Sequence, residues 1–190
     1  MIIEDIFCDL PQLETDRLVM RMLNLDDAAD IFDYTSDPEF ARYLSWGPAT
    51  SVDETIGFLS DTMFRRQLGD VAAWGLVAKD SNRVIGTCGF TNWDPENKKA
   101  EIGYALSREF WGRGYITEAV TEAIGYGFET MELNRIEAMC DAQNLGSYRV
   151  MEKAGMSFEG LLRDYEYWKN EYHDMKLYSI LRRDYSQRPD

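Results

Sequence analysis

The chain of 190 residues carries 34 acidic against 20 basic side chains, a net charge of −14, and is 45% hydrophobic. That length suits one domain, residues 1–190, with a full core, and the composition is that of an ordinary globular protein. The acidic balance disfavours nucleic acid and anionic membrane surface as partners and favours cationic ones, and no apolar run reaches the roughly 18 residues that a membrane span needs.

The first stretch, MIIEDIFCDLPQLE, is acidic and lacks the basic-then-apolar order of a secretory signal. Arg17–Leu23 alternates Leu18, Met20 and Met22 against Arg17, Val19 and Arg21, a half-buried strand. A helix follows near Ala28–Tyr34, with Asp26 and Asp27 at its start and Asp37-Pro38 as its breaker. Phe40–Leu44 reads as a short helical piece and 45–48 (SWGP) as a loop. Ser51 with Glu54 is a capping-box pattern for a helix carrying Ile56, Leu59, Met63 and Phe64 on its apolar side. Val71–Lys79 and Arg83–Trp93 form a hairpin about a turn at 80–82.

The next stretch, Glu101 to Met131, organises the chain. It opens in the strand Lys99–Leu106, crosses a polar loop and Gly112-Arg113-Gly114, and enters a helix. That helix buries Ile116, Ala119, Val120, Ala123, Ile124, Phe128 and Met131 at a 3.6-residue period. A glycine-bearing turn from strand into helix leaves backbone N–H groups without intrahelical partners at the positive end of the helix dipole. Such a place suits a phosphate or diphosphate. Two glycines before a helix are also an ordinary turn. Neither the nucleotide P-loop spacing nor Gly-x-Gly-x-x-Gly is present, the third glycine of the latter falling on Thr117.

Arg135–Cys140 is a strand, and Asn144 precedes a short helix that ends at Ala154 with Gly155 as its stop. Ser157–Lys169 and His173–Leu181 close the sheet around Asn170-Glu171, and the polar tail 182–190 is expected to fray. His173, the single histidine, falls in a closing turn, and no Gly-x-Ser-x-Gly nucleophile motif accompanies it. Cys8, Cys88 and Cys140, widely separated, suit a reducing cytoplasm with the thiols as small buried hydrophobes. No metal is expected, because no Cys, His and Asp cluster has ligand spacing. Antiparallel strands followed by strand–helix–strand–helix give an α/β (α+β) fold, a mixed and mostly antiparallel twisted sheet with helices on both faces.

WGRGYITEA, with EIGYAL before it and NLGSYRVMEKAGM after, resembles the GNAT superfamily of acyl-CoA-dependent N-acyltransferases. Within it the chain is similar to the RimJ/RimL-type ribosomal-protein N-terminal acetyltransferases, from LETDRLVMRML to YHDMKLYSIL. The superfamily pattern (Gln or Arg, two residues, Gly, one residue, Gly or Ala) falls on Trp111, Gly114 and Ile116 and matches at Gly114. The resemblance implies that Lys99–Leu106 and Arg135–Cys140 splay apart around the pantetheine of acetyl-CoA. Tyr104, Leu106, Gly112, Arg113, Gly114, Tyr115, Ile116, Thr117 and Asn144 would hold that co-substrate. Ser147 would hydrogen-bond the departing sulfur, and Glu166, or alternatively Glu101, would act as base toward the amine. The first two helices would line the acceptor side, where Trp46, Phe40 and Tyr43 shape a pocket or else cover a core edge.

The implied activity is direct transfer of acetyl to a primary amine, either a protein α-amine or a small amine such as a polyamine, amino acid derivative or aminated antibiotic. A non-catalytic acyl-CoA-binding module is the other reading. Neither the acceptor nor the choice between monomer and homodimer follows from the sequence.

Overall fold

The computed structural model describes residues 6–186. Its strands are β1 (Leu13–Glu14), β2 (Leu18–Arg21), β3 (Ala73–Ala78), β4 (Arg83–Asp94), β5 (Lys99–Leu106), β6 (Arg135–Asp141), β7 (Ser157–Trp168) and β8 (Glu171–Leu181). Its α-helices are α1 (Ala28–Thr35), α2 (Val52–Gln67), α3 (Tyr115–Glu129), α4 (Leu145–Lys153) and α5 (Arg182–Tyr185). The strands form one sheet in the order β1-β2-β3-β4-β5-β6-β8-β7. Every neighbouring pair is antiparallel except β5 and β6.

Strand alternation decides which face each side chain meets. Leu18, Met20, Trp74, Leu76, Ile85, Phe90, Ile102 and Ile136 turn to one face. There they pack against Ala119, Val120, Ala123, Ile124 and Phe128, the apolar stripe of α3. Val77 and Val84 turn to the other face, onto Leu23, Ala28, Ile31, Tyr34, Phe40 and Leu59. Each fully buried aliphatic side chain contributes roughly 1.5–3 kcal/mol, so the two clusters clamp the sheet from both sides.

The feature that matters for function is the single parallel pairing. β5 and β6 pair only at Lys99↔Arg135, Ala100↔Ile136 and Glu101↔Glu137. Both strands continue past that point unpaired with each other, to Leu106 and Asp141. The sheet therefore opens into a crevice at its centre, at the end where α3 and α4 begin.

Several expectations are corrected. Ser51 caps the Glu54 amide, but the Glu54 carboxylate takes the amide and hydroxyl of Thr50 (each 2.8 Å) rather than the Ser51 amide. The reciprocal box sits instead at Asn24 and Asp27. Ile56 and Phe64 stay exposed, and α2 buries only Thr55 and Leu59. Residues 40–44 are successive turns rather than helix. Cys88 and Cys140 are buried, whereas Cys8 is exposed and its thiol donates to the Arg66 carbonyl at 3.4 Å.

The segment after β8 does not fray where it is described. Arg182 donates to the Leu133 carbonyl at 2.8 Å, and the Tyr185 ring packs on Phe128 with centroids 5.1 Å apart. Residues 187–190 lie outside the described residues. Among the described residues no helix is long and apolar enough to cross a membrane.

Candidate active site

The turn that leads into α3 has the backbone that its glycines require. Gly112 and Gly114 hold φ of 71° and 85°, a left-handed region that other residues enter only with strain. Gly114 is the N-cap of α3 and supplies no side chain to occupy the helix's first amides. Burial of the α3 stripe anchors the helix, so its N-terminus is fixed in place.

Gly112, Gly114, Ile116 and Thr117 form one wall of a cleft of about 700 Å³. Tyr104, Leu106, Asn144 and Ser147 also line it, with Phe40 and Tyr43 from the turns after α1 and the exposed Arg149 and Lys153 of α4. Three of the expected residues stand elsewhere. The Arg113 guanidinium lies over the rings of Phe110 and Tyr115, 5.3 and 5.5 Å from their centroids. Tyr115 is buried edge-on to Phe110 and belongs to the core. Trp46 is exposed and leans on Phe40 from outside, with centroids 5.7 Å apart.

Asn144 caps α4 by accepting the Ser147 amide at 3.1 Å, which brings Ser147 to the first turn. Across the crevice, the Tyr104 hydroxyl donates to the Ser147 carbonyl at 3.0 Å and stands 3.0 Å from Ser147 Oγ. A phenol has one proton and a carbonyl only accepts, so the Ser147 hydroxyl donates in the second contact. Burial foremost pushes the Tyr104 phenol up, so it remains protonated. The Cys140 thiol, hydrogen-bonded with Ser147, is pushed up to about 11, again chiefly by burial. A thiol held protonated at neutral pH is a poor nucleophile.

The two carboxylate candidates lie apart from these cleft-lining residues. Glu101 alternates with Tyr104 on β5 and faces the α1–α2 side, half-buried. Burial raises its carboxyl above the ordinary range, with the nearby charges of Glu137 and Glu166 adding to the effect. Glu166 stands opposite His173 in the β7–β8 ladder. Carboxylates from β5, β6 and β7 thus gather on the sheet face that α1 and α2 cover.

Residues 17–157 match the acetyltransferase (GNAT) domain family. The uncharacterized N-acetyltransferase p20 of Bacillus licheniformis is 40% identical over 177 residues, covering 92% of this chain and 98% of that one. This chain belongs to the GNAT acetyltransferases. The ribosomal-protein-serine acetyltransferase of Escherichia coli (strain K12) is 34% identical over 98 residues, 52% of this chain and 55% of that one, in keeping with the RimJ/RimL-type branch. A GNAT-family acetyltransferase structure from Bacillus anthracis superposes with a TM-score of 0.81 at 29% identity, covering 91% of this chain and 99% of that one. The protein is an acyl-CoA-dependent N-acetyltransferase.

In this acetyltransferase His173 is not in a turn. It lies in β8, buried, with its ring stacked on Trp168 (3.3 Å between centroids, 5° between planes) and Nδ1 2.8 Å from Asp141 Oδ2. Its polar partners among the described residues are Asp141, the Trp168 carbonyl and, at 3.6 Å, the Glu171 carboxylate. Sequence reasoning also missed Arg149 and Lys153 at the cleft. Their spacing of four on α4 was the available signal, since it puts both cations on one side of the helix. The hydroxyl pairing of Tyr104 and Ser147 had no signal at all, being made by residues 43 positions apart.

Proposed function

We propose that the enzyme moves an acetyl group from acetyl-CoA to a primary amine by direct attack, with the α-amine of a protein as acceptor. The observation that carries this reading is the juxtaposition at the crevice: uncapped amides of the Gly112–Gly114 turn at one end, and the Ser147 hydroxyl at the other. The cleft residues fit the coenzyme. Left-handed glycines permit close approach of a diphosphate, and the exposed cations Arg149 and Lys153 offset the acidic field of a chain with net charge −14. Tyr104, Leu106, Ile116, Thr117 and Asn144 flank the path that the pantetheine would follow. Arg113 contributes through its backbone, and Tyr115 by holding the turn from beneath.

For the chemistry, Ser147 donates its hydrogen bond to the thioester sulfur as charge forms there. Tyr104 holds the Ser147 carbonyl and accepts that same serine proton until sulfur arrives. A positioned donor of this kind contributes roughly 10²–10⁴-fold, and holding the amine against the thioester contributes much of the remainder. An amine must lose its proton to attack. Glu101, whose carboxyl is raised by burial, is the base that the electrostatics favour, and Glu166 is the alternative.

Phe40 and Tyr43 would flank the acceptor, with Trp46 behind Phe40. The protein α-amine is favoured by the likeness to the E. coli enzyme named for ribosomal-protein serine. The test is thiol release from acetyl-CoA over basic N-terminal peptides, polyamines and amino acid derivatives. Turnover confined to small amines would reassign the acceptor, and coenzyme binding without turnover on any amine would make the protein an acyl-CoA-binding module.

A further inference from the structure

Glu118 stands in the first turn of α3, where a negative charge opposes an incoming diphosphate. It does not line the cleft and is held by the connection between β1 and β2. Its Oε1 accepts from the Arg17 amide at 2.9 Å and from the Thr15 hydroxyl. Its Oε2 accepts from Arg17 Nε at 2.7 Å and Nη2 at 2.6 Å. Burial alone would raise this carboxyl, but the bonds from Thr15 and Arg17 outweigh it and hold it below the ordinary range.

Arg17 then reaches the glycine turn itself. Its Nη1 donates to the Arg113 carbonyl at 2.9 Å, and its guanidinium lies 4.2 Å over the Tyr115 ring. A Cβ on Gly114 would come within 3.3 Å of Arg17 Nη2, so the side chain backs the turn closely. The peptide between Arg113 and Gly114 is planar and trans, which points its C=O and N–H in opposite directions. Drawing the Arg113 carbonyl toward Arg17 therefore sends the Gly114 N–H away from Arg17, and Gly114 is one of the residues that line the cleft.

We infer that Arg17 and Glu118 are a positioning pair for the acyl-CoA diphosphate. Arg17 cancels the acidic charge in the first turn of the helix and fixes the Arg113–Gly114 peptide so that its N–H serves the ligand. The inference rests on the coenzyme site proposed above and adds to it two residues that do not line the cleft, one from the β1–β2 connection and one from the first turn of α3. Neither residue touches the reacting atoms, so turnover at saturation should be spared.

The test compares coenzyme A with pantetheine, which lacks the diphosphate and the 3'-phosphoadenosine, and with 4'-phosphopantetheine. The last keeps one phosphate at the turn and should lose affinity with coenzyme A rather than hold it with pantetheine. Arg17→Gln should weaken coenzyme A binding about tenfold by calorimetry. It should leave the affinity for pantetheine, read by ligand-observed NMR, and kcat at saturating acetyl-CoA within about twofold of native. Arg17→Lys, which keeps the charge but loses the fork that spans Glu118 and the Arg113 carbonyl, should fall between, and serves in its place if Arg17→Gln does not fold. Equal loss for pantetheine and coenzyme A would reduce the pair to a general structural brace and overturn the proposal, as would unchanged coenzyme A affinity. Failure of the native enzyme to bind coenzyme A would overturn the site itself, a result distinguishable from either.

Discussion

The two walls of the crevice are built by opposite means. On the donor wall, the glycine turn before α3 is held by left-handed glycines and the buried α3 stripe. The side chains of β5 and α4 there are held by the Asn144 cap and the Tyr104–Ser147 hydrogen bonds. On the acceptor wall, residues 37–47 are a run of turns presenting side chains. They are tied down by Asp37 to Arg108 (2.6 Å) and by the Ala41 carbonyl to Lys169 Nζ (2.8 Å). On the function proposed above, the first kind of wall would meet the unchanging part, a diphosphate and an amide-bearing arm, with backbone groups at the glycine turn. The second, with Phe40 buried and Tyr43 half-buried in it, would recognise whatever its side chains complement, and would change with each substitution. A donor common to a whole family and an acceptor that differs among its members match that division of labour.

The largest effect is expected from breaking the donor wall. Gly114→Glu forces a side chain into left-handed backbone, which costs about 1–3 kcal/mol, and puts a carboxylate beside the diphosphate. Coenzyme A affinity by calorimetry should fall by roughly 10²-fold or more; unaltered affinity would remove the diphosphate from this turn. Next is Ser147→Ala, expected to lower kcat by about 10²-fold while coenzyme binding changes about twofold. A drop in affinity with kcat preserved would make Ser147 a binding group only.

The acceptor side is sharpened by pH. A base works only when deprotonated, so the rate should rise as pH passes upward through the raised value of Glu101. Glu101→Gln should flatten that limb and lower the neutral-pH rate by about tenfold. If Glu166→Gln flattens it and Glu101→Gln does not, the base is Glu166.

The smallest effect lies outside the crevice. Arg135 and the Ser179 hydroxyl hold the Glu159 carboxyl at about 2, well below its ordinary value. A depressed carboxylate stabilises the fold above its unfolded value and loses that contribution as pH falls toward the folded one. Its side chain is 37% exposed, so screening keeps the contribution small. Between about pH 5 and pH 2.5 the native melting temperature should drop about 2 °C further than that of Glu159→Gln, and parallel melting curves would discount the pair.

The sequence was readable wherever one local rule decided the outcome. The alternation of β5 placed Tyr104 and Glu101 on opposite faces, and the period of α3 placed its stripe on the sheet. The pattern on α2 misled, because Ile56 and Phe64 are apolar yet nothing among the described residues buries them fully. The polar tail misled in reverse: Arg182 and Tyr185 look like solvent residues, but each has a long apolar or aromatic body that covers the end of α3. His173 had the sequence surroundings of a turn, and its burial comes from the stacked Trp168 ring and from Asp141, 32 residues away in sequence on the neighbouring strand β6.

By itself the sequence determined the fold class, the strand-to-helix turn and the family, because periodicity, glycine φ and helix capping act over a few neighbouring residues. Only the tertiary structure decided where β5 and β6 part, that Tyr104 meets Ser147, and that Arg17 restrains Glu118. Those depend on strand register and on which side chains fold brings within 3 Å, and such proximities between distant residues leave no trace in local pattern.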